Sequence, residues 1–480
     1  MVPAGRYAIL TAVYMQPASS GIELRRRLGL WSATALVVSN MVGTGIFTST
    51  GFMAGDLGSA GAILLAWTVG AAFAFCGALS YSELAVNHPQ SGGEYVYLTK
   101  AYGPSWGFMS GWVSFFAGFS APIAAAALAF AGYLAHFFPA LDSSKPIFTV
   151  GSGNLAINVG GAQLTACALI GVFTLLNCLR VETVAKVQNA LTSLKVVVIL
   201  SFILLGLAIG TGSWDHFGVA AVRTSTSPLP AQFLVSLLWV MVGYSGWNAA
   251  TYVAEEIREP ERTLPRALAI GAGLVAVLYL GLNVTFIYAT PLESMKGVLG
   301  VGAQAASNLF GKGVAGLFSA LMAVAIMSTV NAMVTAGPRV YYAMAKNRAF
   351  PSFAQRISPR SFTPVQSVVA QSACAMLMTF TSFPQLVIFI GFTLTLFTML
   401  AVASVFLFRR RAGWRRLGSV SFAYPLIPLA YTLLGLGMTG YGLWWQPVPS
   451  IASLGMIGAG ALVYRFTVVK DADLAKAGSK

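Results

Sequence analysis

Two glycine pairs interrupt runs that otherwise read as apolar helices. One lies in Asn40-Met41-Val42-Gly43-Thr44-Gly45-Ile46-Phe47, the other in Val242-Gly243-Tyr244-Ser245-Gly246-Trp247. At bilayer depth every amide and carbonyl needs a partner, so an unwound turn persists there only where it faces a cavity or a ligand. The first half-helix would end around Gly43-Thr44-Gly45 with unpaired carbonyls, and the second would begin near Ile46 with unpaired amides. Such amides attract a carboxylate, and such carbonyls accept from an ammonium group. Repeated at Gly243 to Gly246, the arrangement offers both polarities at one depth, which fits a zwitterionic amino acid without using a charged side chain. The candidate substrate contacts are Gly43, Thr44, Gly45, Ile46, Val242, Gly243, Tyr244, Ser245, Gly246 and, just beyond the second break, Asn248. The competing account is that small residues merely let membrane helices pack closely. With 50 glycines in the chain either break alone would fit that account, but the symmetric pair favours a site.

Lys195, in Asn189-Ala190-Leu191-Thr192-Ser193-Leu194-Lys195-Val196, is the base placed well inside an apolar run. A charge in the membrane is costly, at least about 2.5 kcal/mol. Three roles are open to it: a fixed cation standing where a sodium ion would brace neighbouring helices, a proton-exchanging group, or a side chain that snorkels to the headgroups. With its run starting near Val187, it would lie roughly 12 Å deep at about 1.5 Å per residue. The acid-base alternation Glu255-Glu256-Ile257-Arg258-Glu259-Pro260-Glu261-Arg262 follows the second broken run. Ion pairs there, with Glu255 and Arg258 as candidates, could gate the inner mouth, or the segment is a solvated charged loop.

Other site chemistry finds no foothold. His88, His136 and His216 are scattered and pair with no Cys or acid at ligand spacing, so neither a metal nor another cofactor is expected. There is no glycine-rich loop ending in Lys-Ser/Thr, which excludes the usual ATP-driven machinery. No acid, base and nucleophile set supports an enzyme. The sequon Asn283-Val284-Thr285 falls inside an apolar run, out of reach of glycosylation.

The elements that must carry these residues are membrane helices. The 480 residues are 57% hydrophobic and 9% charged, and the mean hydropathy is +0.75, too little ionic surface for a soluble globule of this size. The net charge of +15 is spread over short connections, not gathered into a stripe, which argues for orientation signalling and against nucleic acid. Runs long enough to span, about 20 residues each, fall near 31–56, 60–85, 105–138, 160–180, 187–211 and 231–254. Six more fall near 266–290, 313–345, 364–382, 384–408, 419–441 and 446–466.

Twelve spans place both termini on one side. That side and its loops hold 24 Lys and Arg residues, against Lys145, Arg223, Lys296 and Lys312 opposite, so both termini are expected to be cytoplasmic. Cys76, Cys167, Cys178 and Cys374 all fall in spans and imply no disulfide framework. Tyr7 to Met15 is too short for a signal peptide core, and the basic Arg25-Arg26-Arg27 would hold it inside.

The two breaks lie about 200 residues apart, an offset that also carries the fifth span onto the tenth. A five-span unit is odd, so its second copy inserts upside down, as in many secondary transporters. The expected organisation is a cytoplasmic extension (1–29), a first repeat (30–212), a second repeat (231–408), two trailing spans (419–466) and a cytoplasmic tail (467–480). The fold class is all-α. The polar connections at 86–104, 255–266 and 346–363 are too short to be catalytic domains.

At this point the residues resemble the amino acid, polyamine and organocation transporter superfamily, and within it the L-type amino acid transporter branch as found in bacteria. The pieces that carry the resemblance are Val42-Gly43-Thr44-Gly45-Ile46-Phe47, Ser91-Gly92-Gly93-Glu94-Tyr95-Val96-Tyr97-Leu98, Gly246-Trp247-Asn248 with Glu255-Glu256-Ile257, Pro260-Glu261-Arg262-Thr263-Leu264-Pro265, and Thr335-Ala336-Gly337-Pro338-Arg339-Val340-Tyr341-Tyr342.

The resemblance implies a five-plus-five inverted repeat with two trailing helices and sodium-independent alternating access. It implies that Gly43, Thr44 and Gly45 bind the substrate carboxylate, that Val242 to Ser245 meet the amino group, and that Lys195 replaces a sodium ion. Two departures stand out: Val242 occupies a position where many members carry an aromatic gate, and Pro139 to Val159 contain no cysteine to link a heavy subunit.

The expected function is secondary transport of amino acids, most plausibly neutral L-amino acids, by exchange or proton symport. The alternatives are a permease for cationic amino acids or polyamines, and a sensor that binds without transporting. The expected partners are the amino acid, membrane lipid and protons, and the expected place is the plasma membrane, in a bacterium the inner membrane.

Overall fold

Long stretches of Ala, Leu, Val, Ile and Phe with few charges wind into helices because, away from water, a helix satisfies its own backbone. The computed structural model describes residues 24–141, 146–150, 157–298, 300–380, 383–445 and 447–469. Most of the predicted extension 1–29 and of the tail 467–480 therefore lies outside the described residues, including Tyr7 to Met15.

In chain order the helices are α1 (Leu30–Met41), α2 (Thr44–Leu57), α3 (Ala60–Asn87), α4 (Glu94–Tyr102), α5 (Pro104–Val113), α6 (Ala121–Leu134), α7 (Gly161–Asn177), α8 (Val181–Ile209), α9 (Leu229–Tyr244) and the single turn α10 (Ala249–Tyr252). Then follow α11 (Pro260–Ala289), α12 (Leu292–Met295), α13 (Val301–Phe310), α14 (Lys312–Lys346), α15 (Val365–Met378), α16 (Phe383–Phe408), α17 (Gly418–Ser421), α18 (Leu426–Trp445) and α19 (Pro447–Val463). Among the described residues, eight helical stretches are long and apolar enough to cross a membrane, and four shorter apolar helices accompany them.

Three details differ from the sequence reading. The run 105–138 is not one regular helix: a π-helical segment, Ser114–Ser120, widens it between α5 and α6. The all-α expectation misses a small hairpin, β1 (Phe148–Val150) against β2 (Ile157–Val159), with Thr149 opposite Asn158. Each three-residue arm carries two β-branched residues, Thr149 and Val150 in one and Ile157 and Val159 in the other, a pattern too brief to register beside the long apolar runs. The run 419–441 is divided, with α17 separate from α18.

The bundle is inverted relative to a soluble protein. Leu175, Val197, Leu204, Ile209, Val277 and Trp444 are exposed, as suits lipid, while polar side chains turn inward. One buried relay joins four helices. Thr335 of α14 donates to Asn177 of α7 at 2.7 Å, Asn177 to Asn331 at 2.8 Å, and Asn331 to Gln188 of α8 at 2.7 Å. Gln188 in turn donates to Thr192, whose hydroxyl lies 2.6 Å from that of Ser39 in α1. Around the breaks, α1 packs on α11 and α8, α2 on α9, and α14 on α6 and α8.

Candidate functional site

The first break is short. Met41 ends α1, Val42 (φ −76°, ψ 87°) and Gly43 (φ −125°, ψ −149°) leave the helical region, and α2 restarts at Thr44, two residues earlier than the expected Ile46. Two of the carbonyls released there are already taken. Val42 accepts from Lys195 Nζ at 2.6 Å and from the Thr329 hydroxyl at 2.8 Å, while Lys195 also donates to Thr329 Oγ1 at 2.8 Å. Met41 accepts from the Tyr279 hydroxyl at 2.6 Å. The break also leaves the first amides of α2, those of Thr44, Gly45 and Ile46, without helical partners. The Ile46 side chain itself is fully buried.

Lys195 sits near the middle of the 29-residue α8 and is 1% exposed, with its ammonium turned into the protein. That direction is opposite to snorkelling, and its partners are a carbonyl and a hydroxyl.

The second break falls later than the glycine pair indicates. Val242, Gly243 and Tyr244 complete the last turn of α9, and the chain unwinds over Ser245 to Asn248 before α10. Gly246, at φ 92°, requires glycine on two counts, because a Cβ would also meet the Asn40 backbone at 2.7 Å. Gly243 and Gly45 act differently: a Cβ on Gly45 would come within 2.6 Å of Gly243 Cα. These two glycines let the broken segments touch, so close packing and unwinding are divided between positions. The Tyr279 hydroxyl spans the junction, reaching the carbonyls of Met41 and, at 2.9 Å, Gly243.

A cavity opens beside the second break, lined by Tyr244, Ser245, Gly246 and Asn248 of the expected set. Gly43, Thr44, Gly45, Ile46, Val242 and Gly243 are not on its wall; they lie behind it, at the junction of the two breaks. The sequence reading missed Asn40, Phe119, Tyr252, Met333, Thr398 and Tyr431, which line it together with apolar residues and Trp247. The lining carries no Asp, Glu, Lys or Arg. Tyr244 is 1% exposed and its hydroxyl has no hydrogen-bond partner, so a polar group is held ready beside the cavity. No local signal marks these residues, since they come from helices distant in sequence; Asn40, preceding the first break, was the one within reach.

Beyond the second break the buried acid is Glu256, the neighbour of Glu255. The buried pair here is Glu256 with Arg339 of α14, Nε to Oε1 at 2.6 Å and Nη2 to Oε2 at 3.2 Å, both side chains 1% exposed. Glu255 accepts no part in that pair; its amide donates to Ser91 Oγ at 3.0 Å, and the Arg258 amide donates to the Leu28 carbonyl at 2.8 Å. A second buried pair, Glu83 with Arg409, lies between α3 and the end of α16. From sequence, Arg339 and Arg409 counted only as orientation charges, Glu256 belonged to the candidate gate segment, and Glu83 was not singled out.

Among the described residues no group of His, Cys, Asp and Glu could hold a metal ion, and the four cysteines are unpaired. The arrangement can bind a small polar solute by backbone and neutral side chains.

A family model described as amino acid permease matches residues 28–466. The chain is 30% identical over 413 residues to the serine/threonine exchanger of Bacillus subtilis (strain 168), a match covering 85% of this chain and 88% of that one. It is 27% identical over 454 residues to the large neutral amino acids transporter small subunit 2 of Homo sapiens, covering 92% and 81%. To the cystine/glutamate transporter of Homo sapiens it is 28% identical over 465 residues, covering 95% and 88%. The match runs from Leu28, ahead of the first broken helix, to Phe466 beyond α19, and includes both breaks, Lys195 and the whole cavity lining: the chain belongs to the amino acid permease family.

Proposed function

We propose that this chain is a secondary transporter that moves neutral L-amino acids across a cell membrane by alternating access, without sodium, through exchange or proton symport. The observation that carries the reading is the contact of two interrupted helices at Gly45 and Gly243, clasped by the Tyr279 hydroxyl and opening beside an uncharged cavity. A neutral lining suits a net-neutral substrate better than a cationic amino acid or a polyamine, for which an acidic wall is the expected feature. Relatives named for neutral amino acids, and one named as an exchanger, support the same choice.

In this proposal the chain crosses the membrane twelve times, as two inverted five-span repeats (30–212 and 231–408) and a trailing pair (419–466), with both termini in the cytoplasm. The amides of Thr44, Gly45 and Ile46, with Gly43 before them, take the substrate carboxylate. The C-terminal end of α9, at Val242, Gly243 and Tyr244, meets its ammonium as the Ser245 and Tyr279 hydroxyls give up the carbonyls they hold, and Ser245, Gly246 and Asn248 line the side-chain pocket. Lys195 holds the first break in place of a bound cation, and Glu255 and Arg258 move with the inner mouth. The protein sits in the plasma membrane, the inner membrane if its source is a bacterium, and works without a disulfide-linked heavy subunit.

Uptake of labelled amino acid into liposomes carrying the purified protein tests the proposal, with and without sodium, internal amino acid and a pH gradient. Uptake stimulated by internal neutral amino acid and indifferent to sodium is the expected result. Saturable binding with no accumulation or exchange would instead make the protein a sensor.

A further inference from the structure

Three carboxylates are buried near the inner side of the cavity, and their partners differ in kind. Glu83 is held by Arg409 and Glu256 by Arg339. Glu94, at the start of α4 and 4% exposed, takes neutral donors: the Tyr81 hydroxyl at 2.7 Å and the side-chain amide of Asn248. The Asn248 nitrogen also donates to the Tyr252 hydroxyl at 3.0 Å. An amide NH2 has two hydrogens, so both are committed. What Asn248 has left is its oxygen, and Asn248 lines the cavity.

We infer that Glu94 is a positioning residue that fixes the Asn248 amide with its oxygen toward the cavity, so that the pocket selects amino acids whose side chain donates a hydrogen bond, the hydroxyl amino acids. The inference rests on the transporter reading for its substrate class. Glu94 accepts from the Tyr81 hydroxyl and from Asn248, so an overturned amide would set the Asn248 oxygen against an accepting oxygen and strip Glu94 of a donor. Of the other polar groups on the wall, the Tyr244 hydroxyl, without a partner among the described residues, can both donate and accept, and two more donate to backbone carbonyls. Ser245 Oγ donates to the Val242 carbonyl at 2.8 Å, and Asn40 Nδ2 donates to the Leu36 carbonyl at 2.8 Å, each serving its own helix end. Phe119 and Met333 close the pocket with apolar surface, against which an unpaired acceptor is costly. A hydroxyl that donates to Asn248 removes that cost, whereas a methyl or an ether oxygen leaves it.

Threonine, valine and O-methylthreonine separate these cases: the first donates, the second has its shape without the hydroxyl, and the third accepts only. Binding to the purified full chain is read from ligand-induced shifts of Tm, and uptake is read separately in liposomes. Threonine is expected to bind about tenfold more tightly than valine, the size of one net hydrogen bond, and O-methylthreonine no better than valine. Glu94→Leu should narrow the threonine-to-valine ratio to within about threefold while valine affinity holds. Glu94→Gln, whose Oε1 still accepts from Asn248, should restore the ratio.

An unchanged ratio in Glu94→Leu overturns the inference, as does a wild-type protein that binds threonine and valine alike, or one that favours O-methylthreonine over valine. Should Glu94→Leu not fold, the three-ligand comparison on the wild-type protein decides alone. Selective binding without uptake would sink the transporter reading and leave the role of Glu94 standing.

Discussion

The ammonium of Lys195 lies 2.6 Å from the carbonyl of Val42, the residue at which the first membrane helix lets go of its hydrogen-bond ladder. A cation thus holds the loosened carbonyl, and Thr329 of α14 completes a triangle with both. Three elements, α1, α8 and α14, meet at one point.

Removing that cation should be felt as a loss of transport first. Lys195→Ala leaves the Val42 carbonyl with the Thr329 hydroxyl and a void, and a hydrogen bond to a charged group is worth about 1.5–3 kcal/mol. Uptake should fall at least tenfold while sodium dependence stays absent. A variant with wild-type rate and wild-type pH profile would show that the triangle is packing alone.

Substitution at the glycines should separate them. Gly45→Ala drives a methyl to 2.6 Å from Gly243 Cα, which is backbone and has nowhere to go, and Gly246→Ala adds strain at φ 92° to a clash with Asn40. Both should abolish uptake. In Gly43→Ala the new methyl meets Thr329 Cγ2 at 3.4 Å, an ordinary contact at an ordinary φ, so substantial uptake should remain. Equal loss at all three positions would contradict this division of roles.

The Arg339–Glu256 pair should matter for folding far more than its exposed neighbours. Both side chains are 1% exposed, and removing one partner of such a pair strands a buried charge at a cost of about 3–5 kcal/mol. Arg339→Met should lower Tm in detergent by many degrees, and Arg339→Met with Glu256→Met should recover part of the loss. The Arg415–Glu261 pair, with side chains 58% and 55% exposed, is worth about 0–1 kcal/mol. Arg415→Met should leave Tm nearly unmoved.

Acid should weaken the connection between α3 and α4 through His88. Burial, chiefly, with the nearby Lys100 and Arg411 charges, lowers its pKa from 6.5 to about 4, and Lys100 Nζ lies 3.1 Å from Nδ1. The folded state keeps the imidazole neutral where the unfolded chain would protonate it. The stability gained is full above pH 6.5 and is lost as pH falls toward about 4. Thermal melts of His88→Gln across that window should show a shallower decline than the wild-type protein, and parallel curves would remove His88 from the account.

Much of this was legible in the sequence because membrane helices are dictated by composition. A solvent without hydrogen bonds leaves apolar runs little choice, so helix positions came close to the drawn spans. The location of the breaks was legible too, but their registers were not. Gly43-Thr44-Gly45 and Gly243 to Gly246 each mix two glycine functions, unwinding and close approach, and only the fold assigns Gly246 to the first and Gly45 with Gly243 to the second.

Lys195 was found because a charge in an apolar run is costly and therefore conspicuous. Glu94, Arg339 and Arg409 were not, because each lies near a polar connection where a charge looks ordinary until its burial is known. The cavity lining escaped for another reason: Phe119, Met333, Thr398 and Tyr431 converge from four helices, and convergence leaves no trace in spacing.

Leu28, just ahead of α1, pairs as a parallel bridge with Ile257, just after the second break, through amides of Arg27 and Leu28 on the Glu256 carbonyl and of Arg258 on the Leu28 carbonyl. Together with the glycine junction deeper in, this ties the two interrupted spans at two heights, as a hinge is fixed by two pins. A pair so pinned cannot part without breaking both. The two spans are thereby held together as one plate at both heights.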